Sequence, residues 1–177
     1  MKKLAIMLFV VVNCSLAYAQ DDYFGKGTKV FDINVGLGSP YWSSGLKNSL
    51  PINPRIGLEV GITDEISIGG SVAYSGAKYD YDDGFYKYSI RYNAYFIGAR
   101  GAYHFATSEK LDPYAGASLG YVVVSVNGTS SAYSVGSGAG YGGFVGIRYY
   151  PKSKLGLNAE LGYSSFSFLN VGASFKF

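Results

Sequence analysis

The chain has 177 residues, a net charge of +3 and 48% hydrophobic residues, which is enough for a single domain. Charged residues make up 15% of it, against about 25% in an average soluble domain. This nearly neutral balance argues against a nucleic-acid-binding surface, and a single cysteine excludes a disulfide framework.

The N-terminal residues predict a signal peptide over 1–19. Two lysines precede an apolar run, Leu4–Val12, that is too short to cross a bilayer as a helix, since a helix needs about 20 residues for that. The tripeptide at 17–19 has the small residues that signal peptidase accepts. Cleavage before Gln20 would remove the cysteine and both lysines, lower the net charge from +3 to +1, and leave 20–27 as a short periplasmic segment.

The remaining chain, 28–177, predicts one all-β domain. Apolar side chains alternate with small or polar ones, as where Ile56 and Leu58 flank Gly57 and precede Glu59. This period of two is typical of strands with one apolar face. Turn residues recur about every 18 to 20 residues, the spacing of a membrane-spanning strand and its loop. We predict eight strands, over 28–39, 52–63, 66–78, 87–105, 113–126, 138–150, 155–164 and 168–177.

The fourth predicted strand breaks the alternation. Arg91 and Asn93 fall in one phase, and Arg100 falls in the other. A β-bulge near Phe96–Ile97 would bring all three to one face, so the sequence predicts a bulge there.

The polar face is the one that we expect inside. It consists mostly of Gly, Ser and Asn, with a few charges of both signs that could neutralise one another in a narrow, filled lumen. The other face is aliphatic in its middle and aromatic at its ends, as a membrane-facing surface requires. The predicted fold is an eight-stranded antiparallel up-and-down transmembrane β-barrel. Its predicted lumen charge network comprises Asp32, Arg55, Glu59, Arg91, Arg100, Arg148 and Glu160.

An even number of strands would bring both ends of the barrel chain to the periplasmic side. The outer loops are then 40–51, 79–86, 127–137 and a very short one at 164–167. Aromatic residues in the first two loops are candidates for extracellular contacts, and they also suit the upper aromatic girdle. These residues are Tyr41, Trp42, Tyr79, Tyr81, Phe85 and Tyr86.

No motif predicts a catalytic, cofactor or metal site. Residues 138–143 match G-x-G-x-x-G, but a predicted strand follows where a nucleotide site needs a helix. The single histidine, His104, is expected at the periplasmic rim, where the sequence offers no serine and acid as partners for acid–base catalysis. The acidic loop residues at 80, 82 and 83 lack the spacing of a calcium loop, which favours a solvated loop over a cation site.

The C-terminal residues resemble the signal by which outer-membrane barrels are recognised by the barrel-assembly machinery. Asn170, Gly172, Phe175 and Phe177 occupy the polar, glycine and two aromatic positions of that pattern. The mature chain, over residues 21–177, is similar in pattern and fold to the small OmpA/OmpX-like barrels of the porin-family group. The resemblance implies a bacterial outer-membrane protein without a cofactor. Its partners would be outer-membrane lipid and, during biogenesis, the assembly machinery and periplasmic chaperones.

The sequence therefore predicts a non-enzymatic barrel that is a monomer. It would have a structural or surface-interaction role through its outer loops, with an extracellular ligand that the sequence does not identify. Two alternatives stay open. One is a narrow channel for small solutes, which the glycine-rich lumen would permit. The other is a lipid-modifying outer-membrane enzyme, for which no catalytic constellation is evident.

Overall fold

The computed structural model is all-β and antiparallel over the residues it describes. These residues are 24–38, 47–48, 52–82, 84–85, 87–128, 133–134, 137–152, 154–164 and 166–177. The strands are β1 (Lys29–Leu37), β2 (Lys47–Asn48), β3 (Asn53–Gly61), β4 (Ile66–Asp82), β5 (Lys87–His104), β6 (Leu111–Gly128), β7 (Tyr133–Ser134), β8 (Gly138–Tyr149), β9 (Leu155–Ser164) and β10 (Ser167–Lys176). Within this part of the chain, no helix is long and apolar enough to cross a membrane. The predicted signal peptide lies outside the described residues.

Eight long strands close into a barrel. Each pairs with its neighbours along the chain, and β1 pairs with both β3 and β10, so the first long strand meets the last. The amide of Lys29 donates to the carbonyl of Phe177 at 2.9 Å, and the amide of Phe177 donates back to Lys29 at the same distance. Closure pairs each long strand on both sides within the barrel, whereas an open edge in lipid would cost several kcal/mol per exposed group.

The burial pattern is inverted with respect to a soluble protein. On β3, Arg55 and Glu59 are buried, whereas Ile56 is 45% exposed. On β8, Arg148 is fully buried and Val145 is 55% exposed. Polar side chains inside and a continuous apolar surface outside are what a transmembrane barrel requires. The predicted fold class is confirmed.

Aromatic side chains mark two levels on the outer surface. Tyr95 and Tyr103 on β5 are both about half exposed and lie eight positions apart, with Ile97 between them. Tyr141 and Tyr149 repeat this spacing on β8. Eight residues of a strand tilted by about 40° correspond to roughly 20 Å of height, close to the ~25 Å apolar band of such barrels.

The predicted bulge in the fourth long strand is wrong. β5 pairs in continuous register with β4 and β6 through Phe96 and Ile97. Arg91 is exposed on the outer face, opposite Lys78, and does not enter the lumen. The physical reason is strand length: β5 has 18 residues, but crossing takes only 9–11, so Arg91 lies beyond the apolar band, where an outward charge costs little. A register shift occurs instead between Ser167 and Leu169.

The barrel wall has unequal heights. β4, β5 and β6 have 17 or 18 residues, whereas β1, β9 and β10 have 9 or 10. β2 pairs with β4 opposite Ala77 and Lys78, and β7 pairs with β6 opposite Ser125 and Val126. The five strands β2, β4, β5, β6 and β7 thus form one continuous sheet at the outer end, which we call the outer sheet. The surplus of about eight residues in β5 corresponds to roughly 20 Å of projection.

Candidate functional site

The middle of the lumen is filled by buried ion pairs centred on Arg148. This side chain points inward from β8 and is fully buried. Its Nη2 lies 2.8 Å from Asp32 Oδ2 and 2.9 Å from Glu59 Oε2, and its Nη1 lies 3.2 Å from Asp112 Oδ2. Ser174 donates a further hydrogen bond to Asp32 at 2.6 Å. One guanidinium therefore joins carboxylates from three other strands.

A second group of ion pairs converges on Glu160 of β9. Arg55 makes a two-point contact with it, at 2.6 and 3.1 Å, and Arg100 Nη2 lies 2.9 Å from it. The Tyr114 hydroxyl donates to Glu160 at 3.3 Å. Arg100 also pairs through its Nε with Glu59. Because Glu59 pairs with both Arg148 and Arg100, the two groups of ion pairs form one network.

Aromatic rings pack against the two central guanidiniums. Arg100 lies 4.0 Å above the Phe144 ring, and Arg148 lies 4.3 Å above the Tyr114 ring. Guanidinium groups are attracted to aromatic faces, more strongly when water is absent. The rings therefore fill the space that the charged side chains leave in the lumen.

An apolar layer lies on the outer side of this network. Phe166, in the short β9–β10 turn, is buried and meets Phe96 edge-on, with 6.5 Å between ring centroids. The side chain of Asn53 donates to the Phe166 carbonyl at 3.1 Å and holds the turn in place. The remaining buried members of the layer are Ala73, Ala94 and Val122.

A third layer closes the periplasmic end. His104 is buried there, with Nδ1 2.6 Å from Asp112 Oδ1 and Nε2 2.9 Å from Ser67 Oγ. Phe24, from the segment before β1, stacks on the His104 ring at 3.5 Å with 8° between the planes. The expectation that His104 has no serine and acid as partners is wrong. Inward orientation on β5 brings His104 to residues 37 and 8 positions away in the chain.

The hydrogen bonds connect Ser67 to His104 and His104 to Asp112. The same series connects the nucleophile, the base and the acid of serine hydrolases. All three residues of this barrel are at most 3% exposed, and Ser67 also lies 3.4 Å from Glu59. Catalysis needs a reacting group next to the nucleophile, but Ser67 is fully buried and Phe24 stacks on the His104 ring. The two hydrogen bonds hold the imidazole ring in place inside the barrel.

Tyr150 completes the periplasmic layer next to this cluster. Its ring is buried just after β8, and Lys176 Nζ lies 4.7 Å from the ring centroid. Burial raises the pKa of the Tyr150 phenol, so the group stays neutral in the physiological range.

The lumen contains six of the seven residues predicted for its charge network. Asp32, Arg55, Glu59, Arg100, Arg148 and Glu160 are all buried and joined by the ion pairs given above. The seventh, Arg91, faces outward. Asp112 was missed because the sequence prediction began its strand at residue 113, although Asp112 has the same phase as the inward-facing Tyr114.

The residues predicted for the barrel-assembly signal occupy β10 and the position after it. Asn170 is buried, Phe175 is 38% exposed to the outside, and the rings of Phe175 and Phe177 lie 5.7 Å apart. At Gly172, a Cβ atom would collide with the Ile33 carbonyl on β1. The glycine thus has a packing role at the closing seam, and recognition by the assembly machinery stays a prediction.

The predicted extracellular contact residues are only partly described. Phe85 lies at the tip of the β4–β5 hairpin and is 93% exposed. Tyr79 and Tyr81 lie in the outer part of β4, and their side chains are outside the described part of the structure. Tyr41, Trp42 and Tyr86 are outside the described residues altogether.

The acidic residues predicted for the second outer loop, two of which lie in β4, give no metal site in the described part of the chain. Asp80 pairs with Lys78 at 2.9 Å, with both side chains partly exposed. No group of three or more His, Cys, Asp or Glu residues suited to a metal ion occurs among the residues described.

Comparison with known proteins places this architecture in a family. The model of the outer membrane protein beta-barrel domain matches residues 5–177. The chain belongs to this family. It is an outer-membrane β-barrel protein of bacteria. No curated protein sequence matches it significantly.

Several solved structures of outer-membrane proteins are similar to this chain in fold. Neisserial surface protein A is 19% identical, with a TM-score of 0.57 over 89% of this chain and 98% of that protein. Ail, the attachment invasion locus protein of Yersinia pestis, is 12% identical, with a TM-score of 0.53 over 86% and 99%. The outer membrane protein OprG from Pseudomonas aeruginosa is 12% identical, with a TM-score of 0.54 over 88% and 98%.

Proposed function

We propose that this outer-membrane barrel is a non-conducting anchor that presents its outer sheet and loops to an extracellular partner. The observation that carries the proposal is the contrast between a lumen filled in three layers and a wall that projects far beyond the membrane on one side only.

The filled lumen argues against the channel alternative. Moving a solute through would require it to pass the Phe96–Phe166 contact, the ion pairs of Arg148 and Glu160, and the Phe24 stack. Eight-stranded barrels generally have interiors just wide enough for their own side chains. Opening such a path would break several buried ion pairs, each of which costs about 3–5 kcal/mol to disrupt.

The outer sheet supports a role in surface interaction. A spanning strand needs 9–11 residues, so the additional length of β4, β5 and β6 serves no purpose within the membrane. At the hairpin tip, Phe85 is almost fully exposed, which gives a solvated apolar group where a partner would arrive first. Large aromatic residues of this kind often dominate binding energies at interfaces.

Two structural neighbours have names consistent with such a role. One is called a surface protein, and the other an attachment invasion locus protein. Ail has also been solved in complex with the heparin analogue sucrose octasulfate. At 12–19% identity these proteins share the fold, and a comparable extracellular role for this chain is part of our proposal.

Site-specific photo-crosslinking on intact cells tests the surface role. A benzophenone amino acid is introduced at Phe85 in one variant and at Phe168 in a matched control, since Phe168 is also exposed but belongs to the short β9–β10 side. We expect an extracellular partner to be captured from position 85 and not from position 168. Equal capture from both positions, or none from 85 while the cells still bind the partner, would refute the proposal.

Planar-bilayer recording tests the absence of conduction. The folded barrel should give no stable conductance steps. Reproducible steps that change size when Glu160 is replaced by Gln would establish the channel alternative instead.

A further inference from the structure

We propose that Phe24 is a plug, contributed by the segment before β1, that closes the periplasmic mouth of the barrel. His104 is its platform, and Ser67 and Asp112 position that platform. This inference does not depend on the proposed surface role, because it concerns the opposite end of the molecule.

The segment containing Phe24 is held by bonds of its own. Gly27 donates to the Gly61 carbonyl at 2.8 Å, and Gly61 donates back to Thr28 at 2.8 Å. Lys26 donates from its amide to the Asp64 carboxylate at 3.1 Å. These contacts bring the segment under the lumen, where Phe24 is only 5% exposed.

The His104 ring forms a flat and fixed platform for Phe24. A hydrogen bond at each ring nitrogen, to Asp112 and to Ser67, prevents the imidazole from rotating about its side-chain bonds. Phe24 then lies nearly parallel to it at 3.5 Å. Aromatic pairs prefer offset or edge-to-face arrangements, so this face-to-face pair depends on contacts that hold both ring planes. The serine–histidine–acid arrangement, which has no described access for a substrate, acquires a physical role as the support of this stack.

Gly61 provides the space that the plug needs. A Cβ atom at this position would collide with the carbonyl oxygen of Gly25 and lie 3.3 Å from Phe24 Cζ. The backbone of β3 therefore approaches the plug segment as closely as a glycine allows. His104 of β5 provides the platform, Gly61 of β3 provides the space, and Asp64 of the β3–β4 turn accepts a hydrogen bond, so the seat forms only when these strands are paired.

Limited proteolysis of the full mature barrel in detergent micelles measures the plug directly. Trypsin can cut after Lys26, which is exposed but held in the bonded turn, so cleavage there reports how often the segment leaves its seat. We expect Phe24→Ala to accelerate this cleavage about tenfold or more, because it removes a buried aromatic ring. Phe166→Ala is the matched control: it removes a buried ring from the opposite mouth and should leave cleavage after Lys26 unchanged.

Two further variants separate plugging from general destabilisation. Phe24→Leu keeps most of the volume but loses the flat stack, and should give an intermediate rate. Ser67→Ala removes one support of the platform and should accelerate cleavage by a smaller factor than Phe24→Ala. Heat-modifiable migration on gels verifies that each variant is a folded barrel. If one is not, hydrogen exchange of the Gly27 amide in His104→Gln gives the same measurement, with faster exchange expected.

Two results would overturn the inference. Equal cleavage rates in the parent protein and Phe24→Ala would mean that the segment does not depend on the ring. Labelling of Ser67 by a fluorophosphonate in Phe24→Ala would mean that the three residues form a covered nucleophile, because Ser67 would then bond to phosphorus, lose its proton to His104 and release fluoride. Neither result bears on crosslinking from Phe85.

Discussion

Replacing Arg148 by methionine should strongly destabilise the folded barrel. Methionine has a comparable length but no charge, so the change leaves Asp32, Glu59 and Asp112 without the guanidinium that lies 2.8–3.2 Å from them. Hydrogen bonds to charged groups contribute about 1.5–3 kcal/mol each, but Glu59 keeps Arg100 as a partner. We therefore expect a loss of about 3–5 kcal/mol, the usual consequence of leaving a buried charge uncompensated.

Urea titration of the barrel in lipid vesicles measures this loss, with the folded fraction read from electrophoretic mobility. Arg91→Met is the matched control, because the same substitution on the exposed outer face should change the free energy of unfolding by less than about 0.5 kcal/mol. Adding Asp32→Asn to Arg148→Met should recover part of the loss, since it removes one unpaired charge. If Arg148→Met and Arg91→Met proved equally stable, the ion-pair network would not stabilise the folded barrel.

Three further predictions concern the seam, the outer layer and the lipid face. Gly172→Val should slow folding into vesicles at least tenfold, because the new side chain would collide with β1. The neighbouring Ala173→Val, whose side chain faces outward, should fold at the rate of the parent protein. Stopped-flow fluorescence compares the two rates. Phe166→Ala should lower the free energy of unfolding by about 3–5 kcal/mol through the cavity it leaves, again by urea titration, and a loss below 1 kcal/mol would contradict a packed outer layer. Leu161 faces the membrane and is 57% exposed, so Leu161→Arg should lower the free energy of unfolding by about 2–4 kcal/mol. Phe85→Arg at the hairpin tip should leave the free energy of unfolding unchanged. Similar losses for both variants would contradict the assigned membrane band.

The fold followed from the sequence because alternation is a local property. Polar residues such as Asp32 and Glu160 stand at inward positions of clearly alternating segments, and the structure buries both. The prediction that Arg91 faces the lumen was wrong for a reason that alternation does not reveal. Once a strand has left the membrane, an outward-facing charge is no longer costly. The position of the membrane boundary along β5 had to be known first.

The periplasmic layer was harder to predict. Asp112 and Ser67 reach His104 only through the strand register, and register is a property of pairs of strands. Phe24 lies outside every alternating segment, so no local pattern marks its ring as buried. Its role depends on His104 and Gly61, which lie 80 and 37 positions further along the chain.

The unequal height of the barrel wall gives the molecule a direction within the plane of the membrane. On the side of β9, β10 and β1 the strands have 9 or 10 residues, so neighbouring lipids and proteins meet short strands there. On the side of β4, β5 and β6 they meet the outer sheet instead. Rotation of the barrel about the membrane normal therefore changes which neighbours it can touch, and two copies placed back to back would expose different surfaces from two placed face to face.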